Sequence, residues 1–411
     1  MTRAEAQRMC DRLNRSRDVR EHTIGSADAA RFCSRCPVGS NFLITGGEES
    51  QRTAMLLRLL SGIRQRSSIP VILLTGSALT ERAVYQAATE NRLGQARVFS
   101  PRSRDYHPLY RMSEVQISNL LLSIARQQGY RNTDQLAGYI RAFLAVVQKY
   151  HRLSLPALLA LDRAAPTNEI LCNMARACGA GFHHTEAIRS FPGGTPILHD
   201  LLELLSQAYG NLTHERCASG HDLSAGCSEG LLMCLRINSD QPEVLDLALA
   251  AELQRLLNEG RSFLLVLNDV PLCSAEGLYR QICSAKNVSS GTSVGICTAD
   301  AAAWARQVTQ AAEPENSLLS NTQTFVLFAS GRENDSDLDG VLKYLGQFNR
   351  REVTAGGGHD AGLIHLFTSA HWEVSAGAPA NRVRPQDLTG YRVVLKGHDG
   401  RNIHLYRSMT M

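Results

Sequence analysis

The stretch Asn41-Phe42-Leu43-Ile44-Thr45-Gly46-Gly47-Glu48-Glu49-Ser50-Gln51-Arg52-Thr53 decides how this chain is read. An apolar run, Phe42-Leu43-Ile44, feeds a turn at Gly46-Gly47, and a helical pattern follows from about Thr53. Strand, glycine turn and helix in that order form the context of a phosphate-binding P-loop, written glycine, four residues, Gly-Lys-Ser/Thr. With the frame started at Gly46, Gln51 stands at the second glycine and Arg52 at the lysine. Thr53 keeps the hydroxyl position that binds magnesium. Gln51 removes a residue whose small size lets backbone amides close on phosphate. Arg52 keeps a positive charge in a larger, forked group. Glu48 and Glu49 place carboxylates where an anion would be drawn.

A nucleotide site of this plan needs a second apolar strand, ending in Asp and usually Glu, to hold magnesium and orient water. Phe263-Leu264-Leu265-Val266-Leu267 is such a strand, and it ends in Asn268-Asp269. Asn268 is uncharged but can still bond to a magnesium-bound water. Asp269, shorter than Glu, is the candidate catalytic base. The candidate nucleotide-binding set is therefore Gly46, Gly47, Gln51, Arg52, Thr53 and Asn268, with Thr53 and Asn268 as the magnesium pair. The competing reading is an ordinary strand, turn and helix with surface residues at each position.

Around this pair the chain alternates strand and helix, the pattern of an α/β fold with a mostly parallel sheet. Met55, Leu56, Leu59 and Leu60 sit at helical spacing, and Pro70 to Thr75 reads as a buried strand ended by Gly76. Ala96 to Phe99 is a weaker strand. From Met112 to Gln207 the pattern is helical: Val115, Ile117, Leu120, Leu121 and Ile124 form one stripe. Leu136, Ile140, Phe143, Leu144 and Val147 form another, and Leu155–Leu161 and Ile170–Met174 continue it. Strands resume at Leu231–Leu235, Phe263–Leu267, Val294–Cys297 and Thr324–Phe328, with a helix over Val244–Leu257. Tyr391–Leu395 and Asn402–Tyr406 flank Gly397-His398-Asp399-Gly400, a hairpin signature. The expected division is a basic N-terminal arm over 1–24, an α/β core from 25–111 and 225–411, and an all-α domain over 112–224.

At 411 residues with 44 % hydrophobic and 20 % charged residues, the composition is that of a globular protein. A net charge of +4 argues no nucleic-acid partner by itself, although Arg3, Arg8, Arg12, Arg15, Arg17 and Arg20 crowd the N-terminal stretch. Glu5, Asp11, Asp18 and Glu21 interleave with them, as on a solvated helix face. The sequence contains no run of about 18 apolar residues and no signal-peptide core. Eleven irregularly spaced cysteines suit a reducing cytosol. Cys33-Ser34-Arg35-Cys36 lacks a second Cys-x-x-Cys, and Cys217, His221 and Cys227 supply too few ligands for a structural zinc, so idle thiols are expected. His183-His184 reads as a polar helix-end pair.

The order of segments resembles the TraG/TraD family of coupling proteins of type IV secretion and conjugation. Gly25-Ser26-Ala27, Tyr106-His107-Pro108-Leu109-Tyr110, Gly291-Thr292-Ser293-Val294-Gly295-Ile296, Asn321-Thr322-Gln323-Thr324-Phe325 and Asn381-Arg382-Val383-Arg384-Pro385-Gln386-Asp387-Leu388 carry the resemblance in co-linear order. It implies a RecA-like P-loop NTPase core interrupted by an all-α insertion. It also implies ATP and magnesium as ligands, partners among secretion and conjugation components, DNA, and a homo-hexamer. Family members usually begin with transmembrane helices, which this sequence lacks, so a partner is expected to bring a cytoplasmic chain to the inner face of the membrane. Gln51, Arg52 and Asn268 depart from the family's nucleotide motifs, and the later sensor-like glutamine falls at Thr298 or a neighbour. Three functions stay open: a subunit with a decayed nucleotide site retained for binding or assembly, an active ATP-driven DNA or protein translocase, and an adaptor acting through the all-α segment.

Overall fold

A computed structural model describes residues 2–15, 19–24, 41–131, 133–214, 221–270, 291–308, 322, 324–328, 336–345, 347–356, 371–381, 391–396 and 403–408. Structural statements concern these residues. The core strands are β2 (Phe42–Gly46), β3 (Val71–Thr75), β4 (Ala96–Phe99), β5 (Leu232–Arg236), β6 (Leu264–Asn268), β7 (Ser293–Thr298) and β8 (Thr324–Phe328). They are paired in parallel in the order β8-β2-β7-β6-β3-β5-β4. β2, β3, β6, β7 and β8 are buried along their whole length, as a parallel sheet with both faces covered demands.

Side chains alternate between the two faces. Phe42, Ile44, Val71, Leu73, Leu264 and Val266 point to one cluster, with Met55, Leu56, Leu59 and Leu60 of α2 (Glu49–Arg66) and Val84 of α3 (Ala78–Thr89). Leu43, Ile72, Leu74, Leu265 and Leu267 point to the other. That second cluster extends without a break into the helical segment, α4 (Glu114–Gln127), α5 (Thr133–Tyr150), α6 (Leu155–Ala164), α7 (Asn168–Ala177), α8 (Phe182–Ser190) and α9 (Gly194–Tyr209). After α10 (Leu223–Ser228) and β5, α11 (Pro242–Asn258) packs against α4, α9 and α10 and completes the shared core. The helical stripes read from sequence are largely buried, but Val115 is 67 % exposed on α4 and Ile170 is 39 % exposed on α7.

Both connections into the helical segment are stitched together. Tyr106 N–H donates to Leu212 O at 3.0 Å, and His107 N–H donates to His221 O at 3.1 Å. Glu252 of α11 lies beneath them, fully enclosed, and accepts from the Tyr106 and Tyr209 hydroxyls, the latter at 2.6 Å. Burial pushes its carboxyl above the usual range, against the donors that favour its charged form. Arg255, one helical turn on, pairs with buried Asp222 at 3.1 Å.

The C-terminal hairpin forms as expected: β11 (Tyr391–Lys396) and β12 (Ile403–Ser408) are antiparallel, with the Asp399-Gly400 turn outside the described residues. β11 joins β8 antiparallel and so extends the sheet. Within residues 1–24 lie α1 (Arg3–Arg15) and β1 (Val19–Ile24), the latter paired parallel to β12 at the sheet edge. The pairing has a physical cause, since β12 would otherwise leave a row of unpaired backbone groups. α12 (Ala301–Val308) and α13 (Ser336–Tyr344) pack together, and β9 (Gln347–Gly356) with β10 (His371–Asn381) forms a separate antiparallel ribbon against α1.

Candidate functional site

β2 and β6 lie on either side of β7, so the P-loop-like turn and the Asn268-Asp269 pair emerge at the same sheet end. Backbone bonds fix that end. Gly46 N–H donates to Ala299 O at 3.1 Å, Asp269 N–H to Cys297 O at 2.8 Å, and Gly76 N–H to Asn268 O at 3.1 Å. Gly46 and Gly47 hold φ of 81° and 63°, which glycine adopts without strain. At Gly47 a Cβ would also come within 2.6 Å of Gln51 Oε1 and of Phe328 Cβ. Asp269 holds φ of 52°, an uncommon, costly conformation for a residue with a side chain.

The helix begins early. α2 starts at Glu49, with Glu48 as its N-cap, and the Gln51 side chain accepts from the Glu48 N–H at 3.0 Å in a capping box. The Arg52 amide donates to Glu48 O at 3.1 Å. A phosphate cradle needs the amides of this spacer free and curved around the anion. Here Glu49 and Ser50, the last two residues of that spacer, already lie inside the helix.

Arg52 turns inward and is 5 % exposed. One terminal nitrogen donates to Gly47 O at 2.7 Å and Gly46 O at 3.3 Å, and the other faces Asp269 Oδ2 at 3.4 Å. Its buried Nε has no hydrogen-bond partner. Thr53 Oγ1 and Thr80 Oγ1 are 2.8 Å apart, and Asn268 Nδ2 donates to Thr80 Oγ1 at 3.0 Å and Thr75 Oγ1 at 2.8 Å. The fold thus brings all the candidate residues to one place, and Thr53, Arg52, Asn268 and Asp269 are bonded into the protein itself. Ser77, the N-cap of α3, ties this network to α2 through its hydroxyl on Glu49. Between the two halves the Cys297 thiol is pushed far up, first by burial and then by Asp269.

A magnesium nucleotide bound in the P-loop manner would call on the Thr53 hydroxyl, the Arg52 cation and Asn268. In this structure the Thr53 hydroxyl lies against Thr80, the Asn268 amide nitrogen donates to Thr75 and Thr80, and Arg52 donates to the Gly46 and Gly47 carbonyls. Glu48 and Glu49 stand at the helix start, where their charge opposes a phosphate. Thr298, at the sensor-like position, donates to Asp300 O at 3.4 Å within its own turn. Among the described residues no group of His, Cys, Asp and Glu is arranged to hold a metal ion. Cys33 and Cys36 lie outside them, as does Cys217; Cys227 is buried, and burial pushes its thiol up to about 12. The His183 and His184 rings pack together, with centroids 3.9 Å apart, at the start of α8. Sequence reasoning missed Thr75, Ser77 and Thr80. The hydroxyls that close β3 and open α3 were their only signal, and their partners are distant in sequence.

The strand order and the helices on both faces of the parallel sheet are those of an α/β RecA-like core. Solved structures of the bacterial conjugative coupling protein TrwBdeltaN70 share this architecture along nearly the whole chain. Its trigonal form in complex with sulphate has a TM-score of 0.51 and 12 % identity, covering 93 % of this chain and 92 % of that one. Its unbound monoclinic form has a TM-score of 0.50 and 13 % identity, covering 94 % and 92 %. TrwB in complex with ADP and Mg2+ has a TM-score of 0.49 and 13 % identity, covering 93 % and 92 %. At these identities the likeness is one of fold, and it is the fold that the TraG/TraD resemblance implies. No protein-family model matches the chain, and no curated protein matches it. Among the described residues no helix is long and apolar enough to cross a membrane.

Proposed function

We propose that this chain is a coupling-protein-like component of a conjugation or type IV secretion system whose nucleotide site has decayed into a structural element. Its role is binding and assembly. The observation that carries the reading is Arg52, buried on the Gly46 and Gly47 carbonyls and facing Asp269, while Thr53 and Asn268 both bond to Thr80. The fold likeness to TrwB, a conjugative coupling protein, supports the setting. On this reading 25–111 with 225–411 form the core, and 112–224 is an all-α domain that meets other components of the machinery. DNA, a homo-hexameric ring, and recruitment of a cytoplasmic chain to the membrane by a partner belong to the same proposal.

Calorimetry with ATP and Mg2+ tests it. The expected result is no binding heat and no hydrolysis, with or without DNA. Robust turnover that disappears in Arg52→Ala would overturn the reading and make the chain an active translocase.

A further inference from the structure

Where the α/β core runs into the helical segment, the chain takes a strained path. Leu109 and Arg111 hold φ of 60° and 64°, a left-handed conformation that is costly for residues with a side chain. Bonds from three partners hold the path. Leu109 N–H donates to Glu252 Oε1 at 3.4 Å, Tyr110 O accepts from Arg255, and Pro108 O accepts from Leu155 N–H at 3.2 Å. The result is a half-buried Tyr110 followed by an exposed Arg111. Local strain of this kind collects where side chains are presented to a ligand.

Two guanidiniums converge on Tyr110. Arg152, exposed and three residues before Leu155, donates to its hydroxyl at 3.2 Å. The Arg111 guanidinium lies 5.4 Å from the ring centroid, and the buried His107 ring stacks at 4.4 Å. Arg152 first and then Arg111 pull the hydroxyl below its usual range, so both cations stand beside the oxygen. Charges of one sign this close repel, yet among the described residues neither guanidinium has a carboxylate partner. The flanking chain supplies none, since residues 106–113 and 135–161 contain no Asp or Glu. Of the nearest acids in sequence, Asp105 buries one oxygen and Glu114 acts on His184. Asp222, beneath His107, is paired to Arg255. A hydroxyl that accepts from cations keeps its own proton to donate. Arg111, Arg152 and Tyr110 therefore offer two positive charges and two kinds of donor at one point. A planar carboxylate is met by a single guanidinium fork, and a phosphodiester carries one charge. A phosphate monoester, with about −1.5 to −2 charge and three acceptor oxygens, matches both charges and donors.

We propose that Arg111, Arg152 and the Tyr110 hydroxyl form a binding site for a dianionic phosphate group, free or carried as a monoester. The site shares no residue with the β2–β6 end, so phosphate binding here is independent of nucleotide turnover. Calorimetry of the full chain at about pH 8 and low salt, with inorganic phosphate, methyl phosphate and dimethyl phosphate, tests it. Inorganic phosphate or methyl phosphate binds, and the tighter of the two shows whether the group is taken free or as an ester. Dimethyl phosphate, a monoanion, binds at least about tenfold more weakly. Arg111→Gly removes one cation and takes a φ of 64° without strain, so it keeps the fold while losing at least about tenfold in affinity. Arg152→Glu, an exposed change, loses at least as much, and Tyr110→Phe loses about three- to tenfold. Phosphate binding unchanged in both Arg111→Gly and Arg152→Glu, equal affinity for methyl and dimethyl phosphate, or no binding by the folded chain overturns the proposal. So does a single-stranded oligonucleotide without terminal phosphates that binds more tightly than methyl phosphate and loses affinity in Arg111→Gly.

Discussion

Replacing Arg52 with Ala separates a structural cation from a phosphate ligand. The guanidinium makes a 2.7 Å bond to Gly47 O, a longer one to Gly46 O at 3.3 Å, and a 3.4 Å ion pair with Asp269, whose side chain is 29 % exposed. A charge-assisted bond to a buried carbonyl is worth about 1.5–3 kcal/mol, and the longer bond about 0.5 kcal/mol. The ion pair, long and partly screened, adds under about 1 kcal/mol. Losing the buried stem costs about 1 kcal/mol more, and releasing the unpartnered Nε returns about 1 kcal/mol. The expected net loss is about 2–4 kcal/mol, with Arg52→Lys losing about half as much because an ammonium can still reach one carbonyl. Urea unfolding of the full chain measures it. Trp304 fluorescence is a local probe, since the indole donates to Val270 O at 3.3 Å beside Asp269. An Arg52→Ala protein as stable as the parent within about 0.5 kcal/mol would refute the reasoning, because a true phosphate ligand is removed without loss in the empty protein.

Further outcomes follow from other sites. Glu252 has a carboxyl pKa raised by burial, so its contribution to stability is complete below the ordinary carboxylate range and is lost as pH rises through the raised value. Urea midpoints at about pH 5 and about pH 8 should therefore shift in favour of Glu252→Gln as pH rises; a parallel shift at both would show that the carboxyl titrates normally. Gly295→Ala drives a methyl group into the Phe42 ring of the neighbouring strand and should cost about 1–3 kcal/mol, partly recovered by Phe42→Leu. Failure of that rescue in thermal unfolding would place the strain elsewhere. Cys227, Cys234 and Cys297 are buried with thiol pKa values raised by desolvation, so all three should resist alkylation of the native chain in peptide mapping. Rapid labelling of Cys297 would mean that the β2–β6 end opens readily.

Some of this protein was legible from residue order alone. Unbroken apolar runs such as Phe263 to Leu267 mark strands covered on both faces, and stripes such as Leu136, Ile140 and Phe143 mark one face of a helix. The adjacency of the glycine turn and Asn268-Asp269 was legible too, because both follow strands of one parallel sheet. The β9–β10 ribbon was not, since Gln347 to Gly356 is too polar to show a buried alternation. Nor was the edge role of Val19 to Ile24, which depends on β12, remote in the sequence and unpaired on that side without it.

The sequence by itself determined that Arg52, Gln51 and Asn268 stand where a P-loop nucleotide site has Lys, Gly and Asp. Only the tertiary structure decided where those side chains point. The Gln51 cap extends α2 into the spacer, the left-handed glycines turn two carbonyls toward Arg52, and Thr80 from another helix reaches both Thr53 and Asn268. Direction and bonding are set by neighbours far away in the chain, competing for each donor and acceptor once the sheet has closed, and residue order carries no record of that competition.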